Sequence, residues 1–139
     1  MESNINYHSE CDFQLKDDDS ITKWLKNAIG IENKELGEIN YIFCDDQYLL
    51  KKNQEYLQHD TFTDIITFDY TEENLLSADI FISIERVKEN AITFAVPFET
   101  ELRRVIIHGV LHLMGYKDKS EEDAKAMRSK ENFYLSNKV

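Results

Sequence analysis

With 139 residues, of which 42% are hydrophobic and 12% aromatic, the chain has the apolar content to bury one core and too much of it for a disordered tail. A formal net charge of −11 excludes the broad basic surface by which many nucleic-acid binders release counterions, leaving only a locally focused cleft for that purpose. No run of about eighteen apolar residues offers a membrane span, Met1-Glu2-Ser3-Asn4 opens no targeting segment, and Cys11 and Cys44 have neither disulfide nor metal spacing. The expectation is one cytoplasmic domain spanning 1–139, without repeats or linkers.

Ile5 and Tyr7 alternate with polar neighbours as in a short strand. Asp17-Asp18-Asp19-Ser20 then offers capping oxygens for a helix with the stripe Ile21, Trp24, Leu25, Ala28 and Ile29, whose periodicity ends at Gly30. Past Gly37, residues Glu38 to Cys44 alternate as a half-buried strand should. Asp45-Asp46 opens a second helix, in which Leu49, Leu50, Asn53, Tyr56 and Leu57 keep helical spacing until His59-Asp60-Thr61 breaks it. Asp64 to Tyr70 and Asp79 to Ile84 are β-branched and aromatic, and predict two paired strands joined by Thr71-Glu72-Glu73-Asn74.

Ser83 begins a third helix carrying Val87, Ala91 and Phe94, and Pro97 starts a fourth, where its fixed φ and missing N–H suit a first turn. Leu102, Val105, Ile106, Val110, Leu111, Leu113 and Met114 make the fourth helix apolar around most of its circumference, so it is expected at the centre. Ser120 with Asp123 resembles a capping box for a final helix through Phe133 and Tyr134. The sum is an α+β (mixed α/β) fold: about four strands in one mixed sheet, packed with about five helices.

Chemistry gathers at the end of the fourth helix. His108 and His112 are four residues apart, one turn along the same helical face, so two ring nitrogens can converge on one cation. Gly115 is the helix-ending glycine whose left-handed conformation turns the chain back, bringing Asp118 within reach. Two nitrogens and one oxygen leave a fourth tetrahedral position for water, the composition of a catalytic zinc site. The bland reading is a hydrogen-bonded core histidine and a solvated acid in the charged stretch from Lys117 to Asp123. Zincin proteases place a glutamate general base directly after the first histidine, and Gly109 stands there instead, which counts against peptide hydrolysis by that route. Asp64 and Asp79, near strand ends, are candidate carboxylates to orient a ligand imidazole, or else turn caps.

His108-Gly109-Val110-Leu111-His112-Leu113-Met114-Gly115-Tyr116-Lys117-Asp118 resembles the His-Gly-x-Leu-His-Leu-x-Gly-Tyr-Asp-His signature of the YbeY family of metal-dependent bacterial endoribonucleases. Thr63-Asp64-Ile65-Ile66-Thr67-Phe68 is similar to that family's Thr-Asp-Val-Leu-Ser-Phe strand, and Ala78-Asp79-Ile80-Phe81-Ile82-Ser83 to its Gly-Asp-Ile-x-Ile-Ser strand. Leu49 to Tyr56, with Asn53, is similar to its Leu-Asn-x-x-Tyr helix, so the likeness spans roughly residues 37 to 118 in the right order.

The resemblance implies a domain that cuts single-stranded RNA in small-subunit (16S) rRNA 3′-end maturation and ribosome quality control. It implies one zinc ion per chain on His108, His112 and Asp118, the same three residues acting in catalysis through a deprotonated water. It also implies partners: rRNA, a ribosomal small-subunit protein or a ribosome-assembly GTPase, and no membrane. Two positions depart from the family pattern. Asp118 stands where the family has its third histidine, and a carboxylate makes the ion a weaker Lewis acid, so manganese or another divalent ion becomes a candidate beside zinc. Leu57 stands where the family tends to have an arginine, with His59 two residues on as a candidate substitute. The alternatives are a zinc hydrolase of a peptide or amide, and a non-catalytic ribosome-associated module braced by its metal.

Overall fold

A computed structural model describes residues 4–57 and 63–137. Strand β1 (Asn4–Ser9) leads through α1 (Asp18–Ile31) to β2 (Glu35–Cys44), and α2 (Asp46–Leu57) leads to the hairpin of β3 (Ile65–Asp69) and β4 (Leu75–Ser83). Helices α3 (Ile84–Phe94), α4 (Phe98–Leu113) and α5 (Glu121–Ser136) follow. The strands form one sheet in the order β1-β2-β4-β3. β1 and β4 both run parallel to β2, and β3 runs antiparallel to β4, so the sheet is mixed, as expected from the alternation of patterns. Among the described residues no helix is long and apolar enough to cross a membrane.

Ile39, Tyr41 and Phe43 of β2 and Ile80 and Ile82 of β4 are fully buried, in one core with Trp24 and Leu25 of α1 and Val105, Ile106 and Val110 of α4. The larger side chains in that core satisfy their polar ends. Tyr41 donates its hydroxyl to the Ile106 carbonyl at 2.8 Å, and Trp24 donates its indole N–H to the Tyr134 carbonyl at 2.9 Å, tying α1 to α5. Nine residues of α4 are buried, the central placement that its apolar circumference predicts.

Local signals fared unevenly. Asp45 accepts from the Tyr48 N–H at the start of α2, Ser83 from the Arg86 N–H, and Ser120 from the Asp123 N–H, so three of the predicted helix starts are capped as read. Asp17 is different: it stands before α1 at φ 57 with no side-chain cap. Gly30 lies inside α1 instead of ending it, and Asn33, at φ 59, takes the left-handed turn. Pro97 sits one position before its helix, at φ −60 and ψ 148. β4 begins at Leu75, four residues before the expected start, because Glu72 and Leu75 bridge the hairpin early.

Candidate active site

The edge strand β3, the face of α4 carrying His108, and one stripe of α5 enclose a cleft of about 610 Å³. From α5 come Ala124, Met127, Arg128 and Glu131, at the i, i+3, i+4, i+7 spacing that puts four side chains on one side of a helix. His108, His112 and Asp118 all line this cleft. The turn after α4 is made as predicted: Gly115 has φ +104, a conformation that L side chains rarely adopt, and the chain comes back so that Asp118 Oδ2 stands 3.4 Å from His108 Nε2. His112 is exposed in the same cleft. Among the described residues no group of three or more His, Cys, Asp and Glu side chains is gathered closely enough to hold a metal ion.

Behind His108 stands a residue that the sequence did not single out. Glu131, only 2% exposed, accepts from His108 Nδ1 at 2.7 Å, although 23 residues separate them. Burial works to raise the Glu131 carboxyl, but the His108 hydrogen bond and the Arg104 and His108 charges hold it below the ordinary carboxylate range. An ionised carboxylate only accepts, so the Nδ1 proton belongs to this bond and Nε2 faces the cleft. Arg104 completes the wall. It reaches Glu131 Oε1 at 3.1 Å and binds Glu101 through Nε at 2.9 Å and through a second nitrogen. Burial opposes the Arg104 charge, and the two carboxylates outweigh it, holding the guanidinium above its ordinary value.

The two candidate orienting aspartates part company. Asp64 lines the cleft, where burial raises its carboxyl while Arg104 and His108 pull it back, and Asn90 approaches at 3.4 Å. Asp79 is not at the site. It lies on β4 and accepts from Asn40 at 3.1 Å and from Tyr70 at 3.4 Å, so no imidazole is oriented by it. Gly109 points away from the cleft: a Cβ there would meet Ile80 Cδ1 at 3.1 Å and Ile65 Cδ1 at 3.2 Å. A glutamate at that position would enter the core, which closes the zincin route more firmly than the missing carboxylate alone. His59 and the side chain of Leu57 lie outside the described residues.

Comparison with known proteins places this architecture. The family described as Endoribonuclease YbeY matches residues 4–138. A relative named Endoribonuclease YbeY from Flavobacterium johnsoniae is 59% identical over 128 residues, 92% of this chain and 92% of its own. One of the same name from Bacteroides fragilis is 52% identical over 83% of each chain. A protein from Thermotoga maritima, solved in solution, superposes with a TM-score of 0.67 at 28% identity, covering 95% of this chain and 87% of its own. The chain belongs to the YbeY endoribonuclease family.

Proposed function

We propose that the cleft is the active site of an endoribonuclease that cuts single-stranded RNA in small-subunit rRNA 3′-end maturation, with one divalent ion, zinc or a substitute such as manganese, held by His108, His112 and Asp118. The observation that carries the reading is the opposition of His108 Nε2 and Asp118 Oδ2 at 3.4 Å, in a chain that matches an endoribonuclease family over residues 4–138. That separation is long for a hydrogen bond. It fits two neighbouring donors on a tetrahedral ion with bonds of about 2.0–2.2 Å, which stand about 3.4 Å apart. His112 and Asp118 are exposed and able to turn toward such an ion, whereas His108 is held from behind.

When bound, the ion supplies Lewis acidity toward a phosphoryl oxygen and acidifies a water molecule. The chain's own part is positional. Glu131 holds the Nδ1 proton of His108, which keeps the Nε2 lone pair aimed into the cleft, and Arg104 keeps Glu131 ionised and in place. With a net charge of −11, the protein gains little from long-range attraction of RNA. A ribosomal small-subunit protein or an assembly GTPase in the cytoplasm, delivering the RNA, belongs to the same proposal. The test is cleavage of an unstructured RNA by protein of known metal content. Wild type cleaves, chelator stops it, and His112→Ala abolishes it with the fold intact by circular dichroism. Cleavage that survives in both chelator and variant removes the cleft from the reaction. Equal metal stoichiometry in wild type and Asp118→Ala removes Asp118 from the ion.

A further inference from the structure

A cleft that accepts RNA has to meet phosphate charge, yet the ionisable side chains lining this one are acidic on balance. Asp64, Asp118 and Glu131 bring three negative charges against two positive from Arg104 and Arg128, a sum of −1 with the histidines neutral. The two guanidiniums are not equivalent. Arg104, 13% exposed, has its Nε and both terminal nitrogens bound to the buried carboxylates of Glu101 and Glu131. It cannot turn to a ligand without breaking its bonds to two buried carboxylates. Arg128 is 53% exposed, and its ion pair is a single approach of Nε to Glu131 Oε1 at 3.7 Å, beyond hydrogen-bond range.

We infer that Arg128 is the phosphate-binding residue of this cleft, contacting a phosphodiester of the RNA from the α5 wall. This rests on the reading of the cleft as an RNA site and adds to it the group that meets the polyanion. The geometry favours Arg128 in three ways. It lies three residues from Glu131, hence on the same side of α5 as the group that holds His108, so its reach is toward the reacting region. Its planar fork matches two oxygens of a phosphate at once. Its present ion pair is long, Arg128 holds it from the exposed side, and Glu131 keeps Arg104 and His108 when Arg128 leaves, so exchange of the carboxylate for a phosphate meets little resistance.

The experiment is binding of an unstructured oligoribonucleotide, by fluorescence anisotropy, across about 50 to 200 mM salt. Wild type is compared with Arg128→Gln, Arg128→Lys and, as a control at an exposed lysine of α1 that does not line the cleft, Lys26→Gln. Losing one phosphate contact on a single strand reduces the slope of log affinity against log salt by about 0.7, and Arg128→Gln is expected to show that reduction with about tenfold weaker binding. Arg128→Lys restores the slope and only part of the affinity, because an ammonium keeps the charge without the fork. Lys26→Gln keeps the wild-type slope. In cleavage assays, Arg128→Gln raises KM by the same factor, with kcat, metal content and melting temperature little changed. An Arg128→Gln slope equal to wild type, in a wild type that binds RNA, overturns the role of Arg128 alone. A wild type that does not bind the oligoribonucleotide overturns the RNA reading as well.

Discussion

His108 and Asp118 face each other across 3.4 Å, but the structures that carry them differ in nearly every physical respect. His108 is 18% exposed and rises from a helix packed on the sheet, backed by Glu131 and Arg104, with Glu101 behind them; both glutamates are 2% exposed. Asp118 is 50% exposed and sits in the turn after Gly115, where it faces His108. The His108 side of the cleft is therefore fixed before any ligand arrives, because Glu101, Arg104, Glu131 and His108 hold one another in a continuous chain of hydrogen bonds. The other side is free to adapt. A site divided in this way orders one donor by folding and recruits the rest by binding, so the same chemical change should register as lost stability on the wall and as lost affinity on the turn.

The sharpest way to break that contrast is to remove one carboxylate from each side. Glu131→Ala strips Arg104 of one of its two buried partners and leaves the Nδ1 of His108 without an acceptor, so it is expected to cost about 3–5 kcal/mol in urea unfolding. Asp118→Ala is expected to stay within about 0.5 kcal/mol of wild type, while weakening metal binding by competition with a chelator. Equal losses of stability in the two variants would erase the distinction between wall and turn.

The backbone offers a smaller version of the same comparison. Gly109→Ala puts a Cβ within 3.1–3.3 Å of Ile80 and Ile65, and repacking there is expected to destabilise by about 1–3 kcal/mol, less up to about 1 kcal/mol returned by the better helix former. Gly115→Ala meets no atom within 4 Å, so its cost is the strained φ alone, about 1 kcal/mol by thermal unfolding. A Gly115→Ala loss larger than that of Gly109→Ala would mean that the turn, and not the helix packing, is the tightly built part.

Much of this was legible in the sequence because it is local. The histidine pair, the glycine stop and the returning acid lie within eleven residues, and the four strands and five helices follow from apolar periods and caps. Glu131 was not legible, because an acidic residue in a strongly charged helix looks like any solvated one until the fold brings α5 against α4. The available signal was its spacing: Met127, Glu131 and Tyr134 are the buried residues of α5, so a glutamate shared a stripe with two core side chains. Asp79, for which an orienting role and a turn cap were both open, is the opposite case. It matches a motif position, but strand order places it beside Asn40 of β2 and not beside α4. The capping aspartates before α1 failed because Asp17 itself takes the left-handed conformation, which an N-cap with extended backbone does not.

The smallest effect tests what tethers the turn to the body of the protein. Glu32, at the end of α1, accepts from Tyr116 at 2.8 Å, from Lys130 at 2.9 Å and from Tyr134, so one carboxylate joins α1, the turn that carries Asp118, and α5. Burial pushes the Glu32 carboxyl up, but the hydrogen bonds from Tyr134, Lys130 and Tyr116 and the Lys130 charge outweigh it, and the carboxyl ionises below its ordinary value. A folded-state value below the unfolded one gives a stability contribution that is fully present above about pH 4.3, where unfolded glutamate titrates, and that drains away as pH falls through the lower folded value. Glu32→Gln is therefore expected to be less stable than wild type at pH 7, with the gap narrowing on acidification, as read from urea midpoints at several pH values. A gap that stays constant with pH would mean that the three donors hold the turn through shape alone, and that the charge of Glu32 contributes nothing to closing the cleft.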